Sequence, residues 1–268
     1  MTSFPGGLER ARTLLATHWG YGAFRPDQVR VLGPLLSGRD VLAILPTGAG
    51  KSLCFQIPAL MSSRLTIVVS PLVSLMQDQV GALRRRGVAA AYINSTQTLE
   101  RRHAVLDAVR AGLVRLLYCA PERLPSLTRR LVAWSLHPAL LAVDEAHCIT
   151  EWGHEFRPVY QLLGKYRYLM GDPPTIAVTG SATTLARGEI ARVLRLERVV
   201  EIVGSFDRPN LRFTTELVQD DRARFAKIVE RVRKATAATI IYAPTRRLTE
   251  LITRALLLRS LRAAPYHA

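Results

Sequence analysis

Apolar residues in this chain gather into short runs at regular intervals, with charged and polar stretches between them. "DVLAIL" (40–45), "LTIVVS" (65–70), "VAAAYI" (88–93), "VRLLYC" (114–119), "ALLAVD" (139–144) and "TIAVTG" (175–180) are almost continuously apolar. A strand exposed on one face would alternate, so these runs predict strands buried on both faces of a parallel sheet. Residues 73–86, 98–111 and 184–196 instead space their apolar positions at helical intervals. The succession is β-α-β, which predicts a doubly wound α/β domain with its ligands at the carboxyl ends of the strands.

"FDRPNLRF" (206–213) breaks this rhythm with a turn-forming Asp-Arg-Pro-Asn and reads as a linker. Beyond it the pattern predicts a strand near 211–218, a helix near 221–234, the strand "ATIIYA" (238–243) and a helix from 245 to about 260. Roughly 60 residues are too few for a second lobe of the usual ~100–150, so an incomplete domain is expected there. The expected division is therefore 1–205 and 206–268.

Composition narrows the partners. The formal charge is +16, and lysine occupies only positions 51, 165, 227 and 234, leaving 33 of the 37 basic residues as arginine. A planar arginine fork suits phosphate, and excess cationic charge favours a polyanion. A GC-rich genome would leave the same mark in an arginine- and alanine-heavy chain, so charge alone does not decide. Cys54, Cys119 and Cys148 lack paired spacing. They predict neither a disulfide framework nor a zinc site, and read as small buried hydrophobes in a reduced compartment. No apolar run approaches the ~18 residues that span a bilayer, and residues 1–20 lack a signal-peptide core. A soluble cytoplasmic protein with no membrane partner is expected.

Two motifs carry candidate chemistry. "LPTGAGKS" (45–52) follows the first predicted strand. A tight turn opening a helix there aims backbone N–H groups and partial positive charge at a phosphate. Gly48 and Gly50 let the backbone curl, Lys51 would reach the terminal phosphates, and the Ser52 hydroxyl would join a magnesium shell. Leu45 stands where the general phosphate-loop pattern has glycine. "LLAVDEAH" ends a predicted strand with Asp144 and Glu145: the first would hold magnesium, largely through water, and the second would position or deprotonate an attacking water. His147 reads equally as a hydrogen-bonded structural histidine. Just downstream, Trp152, His154, Phe156 and Arg157 are groups that stack on bases and grip phosphate.

Taken in order, these motifs resemble the N-terminal motor region of RecQ-family DNA helicases, in helicase superfamily 2. The resemblance runs through Leu15-x-x-x-Trp19-Gly20-x-x-x-Phe24-Arg25-x-x-Gln28, then residues 46–52, "SPLVSLMQDQV" (70–80), "INST" (93–96), "YCAPERL" (118–124) and "DEAHCITEWGHEFRP" (144–158). It continues through "GSAT" (180–183), "SFDRPNLRF" (205–213) and "IIYAPTR" (240–246). It implies a RecA-like P-loop NTPase lobe, a parallel sheet flanked by helices, plus an incomplete second RecA-like lobe. ATP and magnesium are the implied cofactors. Tyr21, Arg25 and Gln28 would contact adenine, and Thr47, Gly48, Ala49, Gly50, Lys51 and Ser52 the phosphates. Trp152, His154, Phe156 and Arg157 would couple single-stranded DNA to hydrolysis, and Ser181 and Thr183 would sense the γ-phosphate or link lobes.

The implied activity is 3′ to 5′ unwinding of single-stranded and partly duplex DNA in recombination or repair, in a bacterial, nucleoid-associated setting. Thr150-Glu151 replaces the commoner Ser-Gln. The chain stops at "YHA", short of the second lobe's arginine finger and the zinc-binding and winged-helix modules. It is thus expected to bind nucleotide and DNA, to hydrolyse weakly at best, and not to unwind. A nucleotide- and DNA-binding module without useful catalysis, and an RNA helicase of the same superfamily, are the competing expectations.

Overall fold

The computed structural model describes residues 4, 6–150, 158–207 and 210–267. The chain divides into two compact units, one ending at Asp207 and the other comprising residues 208–268.

In the first unit every predicted apolar run becomes a strand: β1 Val41–Ile44, β2 Thr66–Val69, β3 Ala90–Ile93, β4 Leu116–Cys119, β5 Leu140–Val143 and β6 Thr175–Thr179. A seventh, β7 Val200–Val203, joins the edge beside β1. It went unpredicted because one flank is exposed, leaving no continuous apolar run to see. All pairings are parallel, in the order β3-β4-β2-β5-β6-β1-β7.

Parallel strands need crossovers, and helices supply them on both faces. Helices α1 Gly7–Trp19, α2 Pro26–Leu36, α3 Leu53–Met61 and α4 Val73–Arg85 cover one side. On the other lie α5 Leu99–Arg110, α6 Leu124–Ala133, α7 Leu163–Leu169 and α8 Thr184–Leu194. The strand pleat sorts one apolar run between two cores: Val41 and Ala43 of β1 face the first layer, Leu42 and Ile44 the second. Trp19 and Phe24 both pack on the first layer, so they serve as core.

A buried ion pair ties the amino-terminal edge of the sheet together. Arg167 on α7 donates to both carboxylate oxygens of Asp40, at 3.1 and 2.9 Å, and to the backbone oxygens of Pro173, Leu194 and Arg195. Asp40 also accepts from Thr175 N at 2.8 Å. The pair thus joins the start of β1 to α7, α8 and β6.

The second unit holds α9 Asp221–Lys234 and α10 Arg246–Leu257, where the sequence predicts them. Strands are expected at 211–218 and 238–243, but neither run pairs into a ladder. Ile240 and Tyr242 stand 78% and 92% exposed, so among the described residues no neighbour covers that side of the run that signalled a strand. Among the described residues no helix is long and apolar enough to cross a membrane.

Candidate nucleotide site

The site forms at the carboxyl edge of β1, β5 and β6. Residues 45–52 leave β1 and turn into α3, with Gly48 and Gly50 at φ of 82° and 79°. Gly50 has a second reason to be glycine: a Cβ there would collide with Nε2 of Gln28. The N–H groups of Gly48, Gly50, Lys51 and Ser52 have no acceptor among the described residues, so the turn presents four unspent donors together. Lys51 Nζ donates to Leu45 O at 3.3 Å.

The predicted adenine residues hold this loop from behind. Gln28, buried on α2, donates to the carbonyls of Ala49 and Gly50 at 3.3 and 3.2 Å. It accepts from Arg25 N at 2.9 Å, and the Arg25 guanidinium donates to Gly48 O. Both ends of the Gln28 amide are therefore engaged, and pairing with a base would exchange these bonds for new ones. Tyr21 is 57% exposed, with its ring open to a flat partner.

Asp144 and Glu145 follow β5 directly. Burial, together with the charge of Glu145, pushes the Asp144 carboxyl up to about 6, against the pull of Lys51 and His147. Glu145 N donates to Asp144 Oδ1 at 3.0 Å. Glu145 sits at φ 48° and ψ 49°, a left-handed conformation that costs a residue with a Cβ roughly 1–2 kcal/mol. Strain of this kind persists where the surrounding contacts over-determine it. Here the contact is His147, whose Nδ1 lies 3.3 Å from Glu145 Oε2 and 3.0 Å from Thr179 Oγ1. The hydrogen bond from His147 holds Glu145 below the usual carboxylate range. His147 is in turn raised to about 10 by hydrogen bonds to Cys148 and then Glu145.

The same histidine reaches the third motif. Thr179 Oγ1 donates to Ser181 O at 3.1 Å and accepts from Ser181 N at 3.3 Å. A continuous path thus runs from Glu145 through His147 and Thr179 to Ser181. Thr183 caps α8, accepting from Ala186 N at 3.2 Å. Gly180 lies so close to the phosphate loop that a Cβ would be 3.7 Å from Lys51 Nζ and 3.8 Å from Thr47 Oγ1. Thr179 drew no attention in the sequence, because a threonine closing an apolar run looks like any other strand residue. Trp152, His154, Phe156 and Arg157 lie outside the described residues.

These shifts set a pH signature. His147 contributes stability fully below its unfolded value of 6.5, and that contribution is lost as pH rises through about 10. Glu145, depressed, contributes above its unfolded 4.5 and loses that contribution as pH falls through its folded value. Wild-type melting temperature is therefore expected to decline between pH 6.5 and 10 with a component that His147→Asn lacks. Parallel melting curves for the two proteins across that range would refute the assignment.

Comparison with known proteins identifies the family and the fold. The family model for DEAD/DEAH box helicases matches residues 25–189, from Arg25 to the middle of α8. The ATP-dependent DNA helicase RecQ of Haemophilus influenzae is 39% identical over 259 residues, 96% of this chain and 41% of the relative. The protein of the same name from Bacillus subtilis is 38% identical over 262 residues, 97% of this chain and 44% of the relative. The chain thus spans well under half the length of either. Among solved structures, the DUF1998 helicase MrfA bound to DNA superposes with a TM-score of 0.72 at 17% identity, over 93% of this chain and 38% of that one. That likeness speaks to the fold. With the family model covering more than half of its residues, the chain belongs to the DEAD/DEAH box helicase family.

Proposed function

We propose that this chain is the ATP-hydrolysing part of a RecQ-type DNA helicase, with residues 1–205 as the first RecA-like lobe and 206–268 opening the second. The observation that carries the reading is the phosphate loop: four unspent N–H donors and Lys51, at the same sheet edge as Asp144 and Glu145. Similarity to RecQ helicases over nearly the whole chain supports DNA as the polymer. For the whole protein we propose 3′ to 5′ unwinding in recombination or repair.

Magnesium fits the residues present. Asp144 is a buried carboxylate beside Lys51, Ser52 supplies a hydroxyl, and the described residues contain no larger cluster of ligating side chains. That matches an ion that keeps its waters and is completed by substrate phosphates rather than caged by protein. Ser52 and Asp144 would hold it, and its charge would neutralise the phosphate oxygens during transfer. The loop donors and Lys51 bind and orient the phosphates. Glu145 holds the attacking water. Its lowered pKa keeps it ionised at neutral pH, as both orienting the water and taking up its proton require. Thr179 and Ser181, through His147, give the third motif a mechanical hold on that carboxylate. Trp152 and Phe156 stack on single-stranded bases and Arg157 pairs with phosphate; their place in the chain, a few residues after Glu145, lets DNA bear on the catalytic geometry.

The direct test is ATP binding by the wild-type chain and Lys51→Ala. A charge-assisted hydrogen bond is worth roughly 10- to 150-fold in affinity, and a loss in that range is expected. Equal affinity in the two proteins would remove the phosphate-loop reading. Hydrolysis with and without single-stranded DNA or RNA then identifies the polymer.

A further inference from the structure

Behind the Ser52 hydroxyl, a line of polar groups runs into an otherwise apolar layer. Gln79 on α4 donates through Nε2 to Ser52 Oγ at 3.4 Å. Its Oε1 accepts from Gln56 Nε2 on α3 at 2.8 Å. The same Gln56 nitrogen donates to the Tyr118 hydroxyl on β4 at 3.0 Å. Gln56 and Tyr118 are 4% and 1% exposed, in the layer formed by Phe55, Met76 and Val80. The Phe55 ring meets Tyr118 edge-on, with centroids 6.4 Å apart. Burial holds the Tyr118 hydroxyl above its ordinary range, so it remains neutral.

Polar side chains in a dry layer cost stability unless paired, and apolar residues of the same volume would fill this space without that cost. What the amides provide is direction. Both hydrogens of the Gln56 amide are committed, one to Tyr118 and one to Gln79. The Gln79 oxygen must therefore face Gln56, and its NH2 must face Ser52. A hydroxyl has two lone pairs and one proton. With one lone pair of Ser52 taken from behind, the second lone pair and the proton are left for the mouth of the phosphate loop.

We propose that Gln79, oriented by Gln56 and Tyr118, is a positioning residue that presents the Ser52 oxygen to the magnesium ion of a bound nucleotide. The inference rests on the nucleotide-site reading above. It places one control on metal affinity in three elements, α3, α4 and β4, outside the loop itself.

The experiment measures binding of a fluorescent adenine nucleotide to the full chain, with saturating magnesium and with chelator, for wild type, Gln79→Met and Tyr118→Phe. For Gln79→Met, affinity without magnesium should stay within about twofold, while the gain on adding magnesium falls about fivefold, the equilibrium worth of one ordinary hydrogen bond. Tyr118→Phe, which keeps the ring, should move the gain the same way by less. Should Gln79→Met fail to fold, Tyr118→Phe carries the same comparison. Equal losses with and without magnesium would mean that the relay only supports the fold, which overturns the proposal. An unchanged magnesium gain in both variants, with wild type showing one, would overturn it too while leaving the nucleotide site intact. A wild-type protein that binds no nucleotide, or gains nothing from magnesium, would overturn the site reading itself.

Discussion

Glu145→Gln is expected to slow ATP turnover by roughly 10²–10⁴-fold, the usual worth of a positioned acid or base, while nucleotide affinity changes little. The two measurements separate because Glu145 has no part in the phosphate cradle, which is built from residues 48–52. Glutamine keeps the size of the side chain and meets the same left-handed backbone, so the substitution adds no strain. It removes the negative charge that holds His147 at 3.3 Å and that would orient the water. Losing that charge should also bring His147 down from about 10, although its hydrogen bond to Cys148 remains. Single-turnover hydrolysis with saturating ATP reads the first effect, and equilibrium binding the second. Turnover within about threefold of wild type would mean that another group handles the water, and Glu145 would then be no more than a strained partner of the histidine.

How much of this was legible beforehand follows from what each signal depends on. Six strands could be read directly because each is covered on both faces, so apart from the threonines at the ends of β2 and β6 its residues are apolar. The seventh could not, since Glu201 and Val203 of β7 face outward and dilute the pattern. In the second unit the same signal misled: "ATIIYA" has the residues of a strand, but composition does not supply a neighbour to pair with, and Ile240 and Tyr242 remain exposed. At the site, glycine, lysine and paired carboxylates stand out because their chemistry demands those residue types at that spacing. Gln28 was visible as an adenine contact only by resemblance, and its grip on Ala49 and Gly50 is a tertiary fact with no trace in local pattern. Thr179, Gln56 and Gln79 belong to the same class. Each is a common polar residue, given significance by a partner 21 to 62 positions away.

Arg167→Ala is expected to destabilise the first unit by about 3–5 kcal/mol at neutral pH, because it leaves a carboxylate in the core without its partner. The size follows from the number of bonds lost. Arg167 satisfies Asp40 through two hydrogen bonds and also three backbone carbonyls, and its side chain is only 8% exposed. Even with arginine present, burial outweighs the attraction and holds Asp40 above its ordinary 3.8, with Asp172 adding a little. A raised folded value means that the folded state binds the proton more tightly than the unfolded state does. This carboxyl therefore costs stability as pH climbs from 3.8 through its folded value, and the cost persists above it. Without Arg167 its charge and its hydrogen bonds no longer oppose burial and only the Thr175 N–H still does, so the folded value rises further and the cost grows at neutral pH. The stability gap between wild type and variant should consequently narrow as the pH is lowered, because the lone carboxyl takes up a proton at a higher pH than the paired one does. Denaturant melts at pH 7 and pH 5 measure that gap directly. Pairing the change with Asp40→Asn should recover part of the loss, since the amide carries no charge and can still accept from Thr175 N. A gap that is constant with pH, or a double variant no more stable than Arg167→Ala alone, would show that the three carbonyl bonds, rather than the ion pair, hold this edge of the sheet together.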